Sequence, residues 1–154
     1  MTPKELREQI GKLLDVQLLA VLSTCGAKGP YASLVAFDYA SDLRCLYFAT
    51  TRATRKYANL MHHPGTALLI DSRANSEEDF HRAAAVTVIG TAAEFPENEK
   101  QAAAASYIER HPSLQEFISA PTTAFFAVRT RNYIYVSRFR EVFELRMNPE
   151  DFLP

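Results

Sequence analysis

Leu6, Ile10, Leu13 and Leu14 recur at helical spacing, with Gln17 closing the same face, and predict a helix over residues 3–17. Thr2-Pro3 ahead of it supplies an N-cap and a proline at the first helical position. The period then shortens. Residues 18–24 form an apolar run of strand length, and Cys25-Gly26-Ala27-Lys28-Gly29-Pro30 reads as a hairpin turn. Tyr31–Phe37 and Arg44–Thr50 are further strands, separated by the polar turn 38–42, so the three make an antiparallel meander.

A second helix is expected over Thr54–His62, with Tyr57, Leu60 and Met61 on one side and Pro64-Gly65 stopping it. Thr66–Ile70 is strand-like, and the polar stretch Asp71–Asp79 reads as a mobile loop. Ala83–Phe95 forms a long strand in which Gly90 is a candidate bulge. Pro96-Glu97-Asn98-Glu99 opens a third helix that runs through the alanines at 102–105 to Arg110, and His111-Pro112 ends it. A helical turn over 113–118 and strands over 123–129, 132–137 and 142–145 complete the chain. Many short strands without βα alternation predict a mainly β fold, a closed or partly closed antiparallel barrel with helices outside, as one domain over 1–154.

Composition narrows the functions. The 154 residues carry 17 Lys and Arg against 18 Asp and Glu, which disfavours a nucleic-acid binder relying on global positive charge. No apolar run approaches the roughly 20 residues of a membrane helix, and Met1–Glu8 has no signal-like apolar core, so a cytoplasmic location is expected. Two cysteines, Cys25 and Cys45, make no disulfide framework and are expected to be reduced. Gly-x-Gly-x-x-Gly and P-loop patterns are absent.

The chemistry concentrates in Ala49-Thr50-Thr51-Arg52-Ala53-Thr54-Arg55-Lys56. A strand end delivers hydroxyls just where a helix begins, and the helix starts with cations. Cations at that end oppose the helix dipole, at a cost of about 0.3–1 kcal/mol each when exposed. A phosphate reverses the sign by accepting from Thr50, Thr51 or Thr54, from Arg55 and from Lys56. The alternative is that Arg52, Arg55 and Lys56 pair with Glu77, Glu78 or Asp79 on a solvated face. Charge pattern alone leaves both open.

Tyr31-Ala32-Ser33-Leu34-Val35-Ala36-Phe37, Leu46-Tyr47-Phe48-Ala49-Thr50, Thr54-Arg55-Lys56 with Asn59-Leu60 and Pro64, and Val86–Ala92 occur in the order and spacing of one family. Together they resemble the pyridoxamine 5′-phosphate oxidase-like flavoproteins over about residues 15–95. The resemblance implies an antiparallel split β-barrel, a homodimer, and FMN at the dimer interface. It implies that Arg55 and Lys56 grip the FMN phosphate with Thr50 beside them, and that Ser33, Leu34, Val35 and Ala36 run along the isoalloxazine through backbone contacts; Thr51 joins them as a candidate from the strand-end reading. The small residues Ala32, Ser33, Ala36 and Ala49 would let a flat ring approach the backbone; taken singly, each is explained more simply as filling a tight barrel interior.

The chain also departs from the oxidases. Ser33 stands where they carry an arginine, Ala85 stands near a polar glutamine position, and there is no Trp for their Trp- and Arg-containing tail. Pyridoxamine phosphate oxidation is therefore not expected. The expected function is an FMN-dependent oxidoreductase acting on a small molecule with electrons from NAD(P)H or another donor. The alternative is a non-catalytic flavin- or haem-binding protein of the same barrel. No catalytic residue is assigned.

The remaining candidates are weaker. His62, His63, His81, His111 and Asp71 lack metal-ligand spacing, and the histidines at helix ends read as caps and dipole partners. Cys25 in a turn near Lys28 has no histidine to activate it, and Cys45, Tyr133 and Tyr135 read as core. Arg138-Phe139-Arg140 is a candidate to close over the flavin or an anionic substrate, or else a solvated strand end.

Overall fold

Thr2 does cap the first helix. Its hydroxyl accepts from the Glu5 amide at 3.2 Å while the Glu5 carboxylate accepts from the Thr2 amide at 2.7 Å, a reciprocal capping box. The computed structural model describes residues 1–148. In it, α1 runs Pro3–Val16, with Gln17 as its C-cap, and buries Leu6, Ile10, Leu13 and Leu14.

The strands are β1 (Leu19–Gly26), β2 (Gly29–Tyr39), β3 (Cys45–Thr51), β4 (Gly65–Asp71), β5 (Ala84–Glu94), β6 (Thr123–Ser137) and β7 (Glu141–Arg146). They hydrogen-bond antiparallel in the order β3-β2-β1-β4-β5-β6-β7. Pairing of β3 with β6 closes the first six into a barrel and leaves β7 as an addition on β6. Its interior is filled by Leu22, Phe37, Leu46, Phe48, Leu68, Ile70, Val86, Val88, Phe126 and Val128, all fully buried.

Closure is uneven. β2 pairs with β3 only through Phe37, Asp38 and Tyr39, whereas its Gly29–Ala36 half pairs with β1 alone. The free edge of that half looks onto the helices α2 (Arg55–His62), α4 (Lys100–Arg110) and α5 (Gln115–Ser119). Helix α4 is fixed to β2 by polar contacts. The Tyr107 hydroxyl donates to the Ala36 carbonyl at 3.0 Å, Ser106 donates to Asp38 at 2.7 Å, and His111 Nε2 lies 2.7 Å from the Phe37 carbonyl. His111 is the C-cap of α4, as expected, its amide donating to the Tyr107 carbonyl at 2.9 Å, and its buried ring also bonds the barrel backbone. Ala49, Tyr107, Ile118 and Phe125 make a second core under α4 and α5.

Several boundaries differ from the sequence reading. The first hairpin turn is only Ala27-Lys28, so Cys25 sits on β1 opposite Pro30, and β2 runs beyond Phe37 to Tyr39. Helix α4 begins at Lys100 rather than Pro96 because residues 97–99 form a turn. The expected strands 123–129 and 132–137 are one continuous strand, β6. Polar Thr130-Arg131-Asn132 resembles a turn but is a bulge: Gly90 faces Thr130, Ile89 faces Asn132, and Arg131 is the extra residue. The Thr130 hydroxyl bonds the Leu43 carbonyl at 2.6 Å, and so does Tyr133, a core residue as expected.

The 71–79 stretch, expected to be mobile, is organised around its own last residue. The Asp79 carboxylate accepts from the amides of Ala74, Asn75 and Ser76 at 2.8–3.3 Å, which holds its pKa below the usual aspartate value. The short helix α3 (Asp79–Arg82) follows. Among the described residues no helix is long and apolar enough to cross a membrane.

Candidate functional site

Helix α2 starts where β3 ends, and Thr54 makes the junction. Its hydroxyl accepts from the Tyr57 amide at 3.3 Å as the N-cap, donates to the Thr51 carbonyl at 2.9 Å, and lies 2.8 Å from the Thr50 hydroxyl. Thr54 is therefore engaged in closing the turn, not free to serve a phosphate. The amides of Arg55 and Lys56 remain without intrahelical acceptors, as first-turn amides must. Asn59 holds the other side of the helix to the barrel by donating to the buried Thr24 hydroxyl at 3.0 Å. It also packs so tightly on Gly26 that a Cβ there would lie 2.0 Å from its Oδ1.

The three cations part company. Arg52 forms an ion pair with Glu94 and donates to the Pro121 carbonyl at 2.8 Å. The expected partners lie elsewhere: Glu78 pairs with Arg82, and Asp79 holds its own loop. Arg55 places its guanidinium 4.5 Å from the centre of the Tyr31 ring, a cation–π contact. Lys56 points to a cavity.

That cavity, of about 340 Å³, is lined on the barrel side by Leu34, Val35, Ala36, Ala49, Thr50 and Thr51. Thr54 and Lys56 close one end, and Tyr107, Leu114 and Phe117 form the opposite wall. An apolar floor thus leads to hydroxyls, one ammonium and a helix start, with no carboxylate in the lining. Such a site suits a flat apolar body that ends in an anion.

Two of the expected residues lie off this lining. Arg55 is at the Tyr31 side, and Ser33 faces with Val35 by strand alternation, away from Leu34 and Ala36. The Ser33 hydroxyl is buried without a partner. Tyr107, Leu114 and Phe117 are additions that the sequence reading did not make. Their signal was faint: Tyr107 is the large buried residue of an alanine-rich helix, and Leu114 and Phe117 are apolar residues in a short segment with no assigned partner. Burial, with Asp38's charge second, pushes the Tyr107 phenol pKa well up, so it stays a protonated donor to Ala36.

The other candidates fall elsewhere. Among the described residues no three His, Cys, Asp or Glu side chains converge as a metal site. His63 accepts from the Gly65 amide at 3.1 Å. Arg138, Phe139 and Arg140 form the β6–β7 turn and do not line the Lys56 cavity.

The family model described as pyridoxamine 5′-phosphate oxidase matches residues 6–137. The chain belongs to that family. No curated protein matches it. Among solved structures, a haem-binding protein from Mycobacterium smegmatis superposes with a TM-score of 0.81 at 18% identity, covering 91% of this chain and 57% of that one. This chain therefore spans just over half the length of that protein. HutZ, the haem storage protein from Vibrio cholerae, gives 0.68 at 15% identity, covering 80% and 89%. An FAD-binding protein from Mesorhizobium loti gives 0.66 at 15% identity, covering 83% and 90%. At these identities the likeness is one of fold, and the split barrel of the family is the fold observed.

Proposed function

We propose that this protein of the pyridoxamine 5′-phosphate oxidase family binds FMN as a homodimer and acts as an oxidoreductase on a small molecule, with NAD(P)H or another donor supplying electrons. The observation that carries the reading is the single cavity whose lining joins the Leu34–Ala36 backbone, Ala49, Thr50, Thr51 and Lys56. The floor suits a planar ring, and Lys56 with the adjacent amides of α2 suits a terminal phosphate. Thr50 and Thr51 stand beside it. Arg55 reaches the phosphate from the rim by leaving the Tyr31 ring. Bound FMN would supply the redox chemistry; the chain's own part is to hold the ring, fix its orientation and limit water.

The donor set favours flavin over haem. The cavity lining contains no His, Cys or Met, and its Tyr107 is kept protonated and tied to the Ala36 carbonyl. Haem held in proteins by an axial ligand takes it from those side-chain types. Purified protein is expected to be yellow or to turn yellow on adding FMN. Anaerobic NADH or NADPH then tests turnover: bleaching of the flavin bands supports the oxidoreductase, whereas a bound flavin that neither donor reduces supports a carrier. A colourless protein that ignores added FMN removes the flavin reading.

The homodimer is supported by an outward apolar strip beside the cavity. Val21 faces Leu34 on one neighbour strand and Leu69 on the other, and Leu19, Leu34 and Leu69 are 54%, 65% and 37% exposed. Contiguous apolar surface of this kind marks an interface. Leu34→Ser is expected to weaken dimerisation by about tenfold, from the apolar area it removes, and sedimentation at graded concentrations reads the shift. A variant that associates as the parent does would place the interface elsewhere.

A further inference from the structure

A carboxylate stands close to the start of α2. Glu94, the last residue of β5, accepts the Tyr57 hydroxyl on Oε2 at 3.4 Å. Tyr57 follows Lys56 in the first turn of α2, where its amide is fixed on the Thr54 hydroxyl. A negative group so placed suits the positive end of a helix but opposes any anion that comes to bind there. Arg52 answers that charge. One arm of its guanidinium pairs with Glu94 Oε1, and the other donates to the Pro121 carbonyl at 2.8 Å. Its amide donates to the Thr122 carbonyl at 3.1 Å. Main chain and side chain are both tied to residues 121–122, so the guanidinium is aimed at Glu94 and does not join the cavity lining.

We propose that Arg52 is a positioning residue of the phosphate end, neutralising Glu94 so that this carboxylate does not repel the ester that Lys56 receives. The pair's exposure bears on its role. The Arg52 and Glu94 side chains are 42% and 29% exposed, and an ion pair this wet adds little to the stability of a fold. Its effect on a nearby ligand is larger, because an uncompensated charge acts over about 10 Å at 0.1 M salt. Glu94 lies one tyrosine side chain from the turn that carries Lys56, well placed to be felt by a doubly negative ester. Arg52 thus serves the site without touching its guest.

The inference rests on the flavin reading above, and its test tells the two failures apart. FMN and riboflavin are titrated by flavin fluorescence against the full-length parent, Arg52→Ala, Glu94→Gln and the double variant. Arg52→Ala should weaken FMN about three- to fivefold at low salt, the size of an exposed charge effect, and leave riboflavin nearly unchanged. Glu94→Gln should tighten FMN about two- to threefold, since it removes the repelling charge and frees the guanidinium. The double variant should return FMN affinity close to that of the parent. Such rescue is produced neither by a direct contact of Arg52 with the phosphate nor by a merely structural tie to Pro121. Unchanged FMN affinity in Arg52→Ala, a loss that persists in the double variant, or an equal loss for riboflavin overturns this proposal alone. A parent protein that binds neither flavin overturns both readings.

Discussion

Lys56→Ala is expected to weaken FMN binding by about 10–100-fold and riboflavin binding by less than about threefold, because hydrogen bonds to charged groups contribute about 1.5–3 kcal/mol and riboflavin has no phosphate to receive them. Lys56 is the charged side chain in the cavity lining, so it should account for most of the difference between the two ligands. Arg55→Ala should cost FMN less, about three- to tenfold, since its guanidinium is exposed and begins over Tyr31. Titration of flavin fluorescence with both ligands at two salt concentrations measures this. FMN affinity should fall with salt in the parent protein and less so in Lys56→Ala. Equal losses for FMN and riboflavin would contradict a phosphate role.

The second large effect concerns the barrel. Gly90→Ala is expected to destabilise the protein by about 3 kcal/mol, the upper range for forcing a methyl group into a packed site. An ideal Cβ at Gly90 would lie 2.2 Å from the Arg129 carbonyl oxygen and 2.9 Å from Val128. The nearer obstacle is backbone at the bulge, which side-chain rotation does not relieve. For a chain of this length that corresponds to a Tm lower by about 6–12 °C, read by circular dichroism. A variant melting within a degree or two of the parent would mean that β6 moves freely away from β5. Gly65→Ala is the useful contrast: its close neighbour is the His63 ring, 2.7 Å away, an exposed side chain able to turn aside.

What the sequence made legible was local. The Thr2 cap, the spacing of Leu6, Ile10, Leu13 and Leu14, the apolar run of β1 and the polar turns that bound β2 and β3 all act within a few residues. Each gave its element. Gly90 was legible for the same reason, as a lone glycine in an otherwise strong strand. What escaped were partners distant in the chain. Arg52 meets Glu94, 42 residues on, and no charge pattern near Arg52 identifies that carboxylate. The bulge at Arg131 lets β6 pair with β3 at one end and β7 at the other, which three polar residues in a row disguise as a turn. The 71–79 loop is rich in residues that favour disorder, but those same residues allow one carboxylate to collect three amides. For the cavity, the resemblance supplied the β2 and α2 residues. The far wall of Tyr107, Leu114 and Phe117 depends on how α4 and α5 fold back, which loose helical composition does not encode.

The open edge of β2 has a wider consequence. From Gly29 to Ala36 this strand is bonded on one side only, so peptide groups rather than side chains form much of the surface offered there. Peptide groups are common to every sequence. Recognition built on them survives almost any exchange of residues that keeps the strand's path, which lets homologues share a pocket long after their sequences have diverged. Selectivity among related guests then has to come from whatever closes over them, and that is where members of this fold are free to differ.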